Sequence, residues 1–196
     1  METVQPQSQP EPQAPVQEKP ELKRFFMDLF ETVGLALVLF LVINAVSARV
    51  RVDGFSMMPT LHDGEFVLVN KLAYRTGTPT RGDIIVFRSV NTPDLDLIKR
   101  VIGLPGDKIV IRGGRVIVNG QTLNEPYIAA APNYEGEWQV PAGYLFVLGD
   151  NRNDSSDSHA WGYLPMQNVI GKALLIYWPP PEWAMIDHVR IALAAP

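Results

Sequence analysis

From Thr32 to Ala48 the chain runs without a charged residue, reading Thr-Val-Gly-Leu-Ala-Leu-Val-Leu-Phe-Leu-Val-Ile-Asn-Ala-Val-Ser-Ala. No other feature narrows the fold as far, because so apolar a stretch needs a cover of protein or lipid unless it is cut away. A helix packed on a globular core keeps a polar face, and here only Thr32, Asn44 and Ser47 would supply one. A cleavable secretory leader ends in small residues, as Val46-Ser47-Ala48 does. Against a leader, the preceding region is long and acidic, and the run exceeds the usual leader core. Crossing a bilayer takes about 20 residues, which Phe30 to Ala48 nearly supplies. The sequence therefore predicts a transmembrane anchor helix over residues 23–48. Lys19, Lys23 and Arg24 precede it and Arg49 and Arg51 follow, a slight bias toward a cytoplasmic N-terminus.

Residues 1–22 are rich in Pro, Gln and Glu. They bury too little apolar surface to offset the entropy of ordering and read as a disordered cytoplasmic tail. Beyond the anchor the pattern is one of short, β-branched runs: Val50 to Phe55, Glu65 to Leu72, Asp83 to Val90 and Leu97 to Ile102. Ile109 to Val118 reads as a hairpin around Gly113-Gly114, with a further turn at Asn119-Gly120. Tyr144 to Leu148 and Lys172 to Trp178 complete the set, and Pro179-Pro180-Pro181 ends the last strand. With no helical pattern of about ten residues between them, these strands predict an all-β, antiparallel domain over 49–180. In the tail at 181–196, Trp183 to Ala195 is apolar enough to pack on the domain or touch lipid.

The 196 residues suffice for one sizeable core plus appendages. A formal net charge of -4 argues against a nucleic-acid partner. Without cysteine there is no disulfide framework, thiolate nucleophile or Cys-ligated zinc. His62, His159 and His188 are scattered, so no metal site is expected.

Ser56 lies in Gly54-Phe55-Ser56-Met57-Met58-Pro59-Thr60-Leu61, just past the apolar run. As a turn residue it would be unremarked; at a membrane surface it is placed as a nucleophile would be. A serine hydroxyl attacks only when a base takes its proton. A Ser-His-Asp triad could draw on His62 or His159, but His62 is a local neighbour and His159 sits in a polar loop. Lys99, among Leu97, Ile98, Val101 and Ile102, is the stronger base. An exposed strand lysine stays charged, whereas burial among apolar groups can lower the free pKa of about 10.4 by some two or three units. Gly149 to Ser158 is a polar stretch directly after a buried-looking strand, which suggests a network as well as a solvated loop.

These segments, in this order, resemble the type I signal peptidases, membrane-bound serine proteases that remove signal peptides from exported proteins. The resemblance is carried by Ser56 to Leu61, Arg81 to Phe87, Ile98 to Asp107 and Gly149 to Asp157. It implies an antiparallel, partly barrel-like β fold and a serine endopeptidase without cofactors. Ser56 would be the nucleophile, Lys99 the general base, and Ser155 the hydroxyl orienting that lysine. Asp150 and Arg100 would form a supporting ion pair, and Asp157 would steady the same loop. Met57, Leu61, Leu97 and Ile98 would line pockets accepting small side chains, as in Ala-x-Ala sites. The implied partners are signal peptides and the lipid bilayer, with the catalytic domain on the outer face of the cytoplasmic membrane; a thylakoid membrane fits as well.

Two positions depart from the commoner pattern. Gly54 replaces a serine that donates to the oxyanion in some members, leaving backbone N–H groups, notably that of Ser56. His159 stands where Arg is common, turning a permanent ion pair into one open to pH; this variant is similar to cyanobacterial and plastid members. A membrane-anchored domain that binds exported segments without cutting them is the competing expectation. A self-cleaving repressor with Ser/Lys chemistry fits poorly, for want of a DNA-binding helical domain. Val46-Ser47-Ala48 also raises self-cleavage after Ala48.

Overall fold

A computed structural model describes residues 21–75, 77–92 and 94–189. The tail expected over 1–22 lies outside them except for Glu21 and Leu22, which are helical. The described chain divides into two compact units, meeting in sequence between Val42 and Ile43.

The first unit is helical. Helix α1 (Glu21–Val46) is long and apolar enough to cross a membrane, and its apolar side chains, Phe30 and Leu35 among them, are exposed. Its last carbonyls, which no helical N–H can reach, are taken up locally. Ser47 Oγ donates to Ile43 O at 2.8 Å and Lys71 Nζ to Asn44 O at 3.0 Å. Lys71 N donates to Val46 O at 2.9 Å. Ser47, one of the few polar residues of the apolar run, and Lys71 thus close the helix.

The second unit is built of antiparallel strands. Its main sheet comprises β1 (Ser47–Arg51), β2 (Phe66–Asn70), β3 (Ile84–Arg88), β4 (Asp96–Gly103), β9 (Tyr144–Leu148), β10 (Leu164–Pro165), β11 (Val169–Trp178) and β12 (Ala184–Met185). It runs in the order β1-β2-β11-β3-β4-β9-β10, with β12 on β11, and stays open as a curled half-barrel. β5 (Lys108–Arg112), β6 (Arg115–Val118), β7 (Gln121–Thr122) and β8 (Gly136–Gln139) form a second sheet ordered β7-β6-β5-β8. Between β9 and β10 lies one turn of helix, α2 (Ser158–Trp161).

Both predicted turns have the left-handed backbone that two-residue hairpin turns require. φ is 56° and 72° at Gly113-Gly114, and 52° and 84° at Asn119-Gly120. Elsewhere the boundaries moved. The strand expected from Val50 to Phe55 begins at Ser47 and stops at Arg51, because the chain turns at Gly54, where φ is +92°. The triple proline does end the long strand, β11 stopping at Trp178, but a short strand the sequence did not announce, β12, follows it and pairs Met185 with Leu175. β8, reading Gly-Glu-Trp-Gln, lacks the β-branched signal and forms because β5 offers it an edge, Ile109 pairing with Trp138.

Three apolar clusters hold the domain. Val52, Met57, Leu61, Ile84, Val86 and Ile98 belong to one. A second packs Ile102, Ile109 and Phe146 together, and the third joins Ile85, Phe87, Val101 and Leu145. Because successive residues of a strand face opposite ways, β3 and β4 feed all three clusters. That double-sided burial fixes β4, the strand carrying Lys99, near the middle of the main sheet between β3 and β9.

Candidate active site

The segment after β1 makes tight turns, with Met58 N donating to Phe55 O at 3.1 Å and Leu61 N to Met57 O at 3.0 Å. Met57 and Leu61 are almost wholly buried and pin the turn to the core cluster that also holds Ile98. Leu97, adjacent in sequence, packs against the third cluster instead. The structure therefore brings three of the four expected pocket residues together and sends the fourth elsewhere, as strand alternation dictates.

Lys99 meets this turn from β4, where its register partner is Ile85. Its Nζ lies 2.8 Å from Ser56 Oγ and 3.0 Å from Ile98 O, and the residue is only 3% exposed. Burial pulls the ammonium down to about 8, against the opposing pull of Asp157 and then Asp150. An amine that gives up its proton near neutral pH, in hydrogen-bonding range of a hydroxyl, can accept that hydroxyl's proton. Neither histidine of the alternative triad reaches Ser56. His62 Nδ1 sits 3.4 Å from Glu65, and His159 Nδ1 sits 2.7 Å from Asp157.

The loop 149–157 encloses both groups. Arg100 and Asp150, both fully buried, pair through Nε–Oδ1 at 2.8 Å and Nη2–Oδ2 at 2.7 Å. Thr60 Oγ1 donates to the same carboxylate, joining the serine turn to the ion pair. Asn151 N donates to Ser56 O at 3.0 Å, and Asn151 Nδ2 to Phe55 O at 3.1 Å. Asp157 caps α2 and accepts from Gly149 N at 2.8 Å. His159 stacks on Tyr134 at 3.9 Å.

Gly149 has no room for a side chain, since a Cβ there would overlap Ser155 Oγ and the Ser56 carbonyl. Ser155 is thus brought to the dyad, but its Oγ is buried without a hydrogen-bond partner among the described residues and makes no bond to Lys99. Ser56 N–H, the expected oxyanion donor, donates to no described group.

Several supporting residues escaped the sequence reading. Arg152 pairs bidentately with Glu125 at 2.7 and 2.8 Å, and its Nε reaches Gly149 O at 3.1 Å. Tyr127 lies between the two buried guanidiniums, 4.0 Å from Arg100 and 5.8 Å from Arg152. Arg152 and Asn151 sat inside the polar loop already singled out. Glu125 and Tyr127 carried no local signal.

Residues 26–178 match the family model "Signal peptidase, peptidase S26". A signal peptidase I from Leptolyngbya laminosa is 44% identical over 187 residues, covering 91% of this chain and 92% of the relative. The chain belongs to the peptidase S26 family of signal peptidases. Members are serine peptidases, so the chain is a hydrolase. A probable signal peptidase I-2 from Synechocystis is 40% identical over 82% of this chain and 77% of its own, which sets the chain in the cyanobacterial branch. A thylakoidal processing peptidase from Arabidopsis thaliana is 36% identical over 71% of this chain and 44% of its own. A signal peptidase I of known structure from Enterococcus faecalis matches 48% of this chain and 96% of its own, at 34% identity and a TM-score of 0.45.

Proposed function

We propose that this S26 peptidase is a membrane-bound endopeptidase that removes N-terminal signal peptides from exported preproteins by a Ser56/Lys99 dyad. The observation that carries the reading is the buried, pKa-lowered Lys99 amine 2.8 Å from Ser56 Oγ. Neutral Lys99 takes the hydroxyl proton as Ser56 Oγ attacks the carbonyl carbon at the end of the signal peptide. The negative charge that develops on the carbonyl oxygen is met by the backbone N–H of Ser56. Collapse of this adduct breaks the C–N bond, and the Lys99 ammonium gives its proton to the leaving amine. Water, deprotonated by the same amine, then hydrolyses the acyl-serine ester.

Met57, Leu61 and Ile98 form apolar ground beneath the serine turn, which favours small apolar side chains before the cut. Asp150, Arg100 and Asp157 hold the loop, and Ser155, packed with the Ser56 carbonyl against Gly149, is assigned the role of orienting Lys99. Helix α1, which stops at Val46, two residues short of the expected anchor, serves as that anchor, with the β domain on the outer face of the cytoplasmic or thylakoid membrane. Anchoring places enzyme and substrate in one membrane plane, which raises their effective concentration. Self-cleavage after Ala48 is disfavoured, because that residue is locked in β1 opposite Val69.

The test is cleavage of a preprotein by full-length enzyme in detergent, with Ser56→Ala and Lys99→Ala compared. Both substitutions should abolish product while the domain stays folded. A binder without peptidase activity would leave the preprotein intact even with the native chain, and undiminished cleavage by Lys99→Ala would remove the dyad.

A further inference from the structure

Asn151 grips both peptide units that flank Ser56. Its backbone N–H donates to Ser56 O at 3.0 Å, the carbonyl of the unit linking Ser56 to Met57. Its side-chain amide donates to Phe55 O at 3.1 Å, the carbonyl of the unit linking Phe55 to Ser56. That second unit also carries the Ser56 N–H. In a trans peptide, C=O and N–H point in opposite directions across one rigid plane. Holding the carbonyl therefore aims the N–H. The turn supplies a first donor to Phe55 O, from Met58 N at 3.1 Å, and Asn151 Nδ2 adds a second. Two donors on one carbonyl polarise the amide and strengthen its N–H as a donor. Among the described residues, neither the Ser56 nor the Met57 N–H is engaged, so both remain available to a ligand.

The need for such a device follows from Gly54, which offers no hydroxyl to the oxyanion. Its φ of +92° also disfavours any residue that would. With backbone donors alone, their direction decides how well developing negative charge is met.

We propose that the Asn151 side chain is a positioning residue for the oxyanion site: it aligns and polarises the Ser56 N–H through the Phe55 carbonyl. This rests on Ser56 being the nucleophile. Asn151 makes no hydrogen bond to Lys99, whose amine meets Ser56 Oγ and Ile98 O. Its loss should weaken transition-state binding and leave the base untouched.

The experiment compares Asn151→Ala and Asn151→Asp with the native full-length chain in detergent. Asp keeps the shape but has no N–H to donate. The readouts are kcat and KM on a signal-peptide substrate, the pH–rate profile, the melting temperature, and inhibition by a peptide aldehyde ending in alanine, whose serine adduct places an oxyanion in the site. Both variants should lose about ten- to a hundredfold in kcat, with KM and the ascending limb of the pH–rate profile unchanged. Aldehyde affinity should fall in proportion to kcat/KM, as for a transition-state analogue.

Native kcat and aldehyde affinity in Asn151→Asp would overturn the proposal, as would a fall in kcat accompanied by a shifted pH limb, which would mean the dyad itself had moved. If Asn151→Ala melts below the assay temperature, the Asp variant decides. Full cleavage by Ser56→Ala, run alongside, would instead remove the nucleophile assignment on which the proposal stands.

Discussion

Lys99 illustrates how a single residue trades stability for reactivity. Its amine is drawn down to about 8 by burial, whereas in the unfolded chain it titrates near 10.4. Between those two values the unfolded state binds more protons than the folded state, so this group makes stability rise with pH across that window. At neutral pH the buried ammonium is a burden. Lys99→Met should therefore stabilise the protein at pH 7 by about 1–3 kcal/mol while abolishing cleavage, as read by thermal melting and a preprotein assay. For the native chain, kcat/KM should climb along a limb centred near pH 8; a limb near the free-lysine value would show that the amine is not desolvated in solution. Gly149 sets a steric condition on the same pair. Gly149→Ala would push a methyl group into Ser155 Oγ and the Ser56 carbonyl. It should cut kcat by about a hundredfold, with a smaller effect on melting.

Among the elements, the loop between β9 and α2 does the most to assemble the site. It is braced from behind by two buried ion pairs, Arg100–Asp150 and Arg152–Glu125. Removing one partner strands a charge in a dry interior. Glu125→Ala should cost about 3–5 kcal/mol, and replacing both Glu125 and Arg152 by apolar residues of similar size should recover most of the loss. Chemical denaturation of the single and double variants measures this. The turn after β1 raises a different point. Gly54 occupies a left-handed conformation, so Gly54→Ser should cost about 1 kcal/mol and bring no gain in kcat, because strain would rotate the turn before the hydroxyl could donate. A rise in kcat with unchanged melting would contradict that.

Over the whole domain, the C-terminal segment acts as a strap. Ile186 enters the core beside β11, Val189 packs on the second cluster, and His188 bolts the segment between β3 and β11. The His188 ring takes the Ile84 N–H on Nδ1 at 3.1 Å and lies 2.8 Å from Ala173 O through Nε2. Only the neutral ring with its proton on Nε2 can make both bonds. Burial, with Lys172 and to a lesser degree Arg100 nearby, lowers its pKa, while Ala173 O and Asp83 pull the other way. With a depressed folded pKa, the stability from this neutral ring is complete above the unfolded value of about 6.5 and is lost as pH falls below it. Hydrogen-exchange protection at residues 183–189, taken relative to the intrinsic rate at each pH, should fall on acidification from pH 7 to 5. The effect should be absent in His188→Gln, whose amide can keep a donor and an acceptor at all these pH values.

The chain's local chemistry settled some of this protein and left the rest to the fold. The uncharged run predicted α1, although the helix stops at Val46 and its last carbonyls are closed by Ser47 and Lys71. The glycine pairs predicted both hairpin turns, because a left-handed backbone is a property of one or two residues. Strands without β-branched residues, such as β8, were invisible because a neighbouring edge induces them. The same division holds at the site. Residue types and order pointed to Ser56, Lys99 and the polar loop. Residue spacing could not show that Lys99 lies 2.8 Å from a serine 43 positions away. Nor could it show that Glu125 braces Arg152, that Leu97 packs apart from Ile98, or that Asn151 holds both peptides around Ser56. The sequence by itself determined the membrane-length helix, the turn chemistry and the reactive groups on offer, all of which follow from local composition and backbone preference. Only the tertiary structure decided which of those groups meet and how dry their surroundings are, because strand register and burial are set by contacts between segments far apart in the chain.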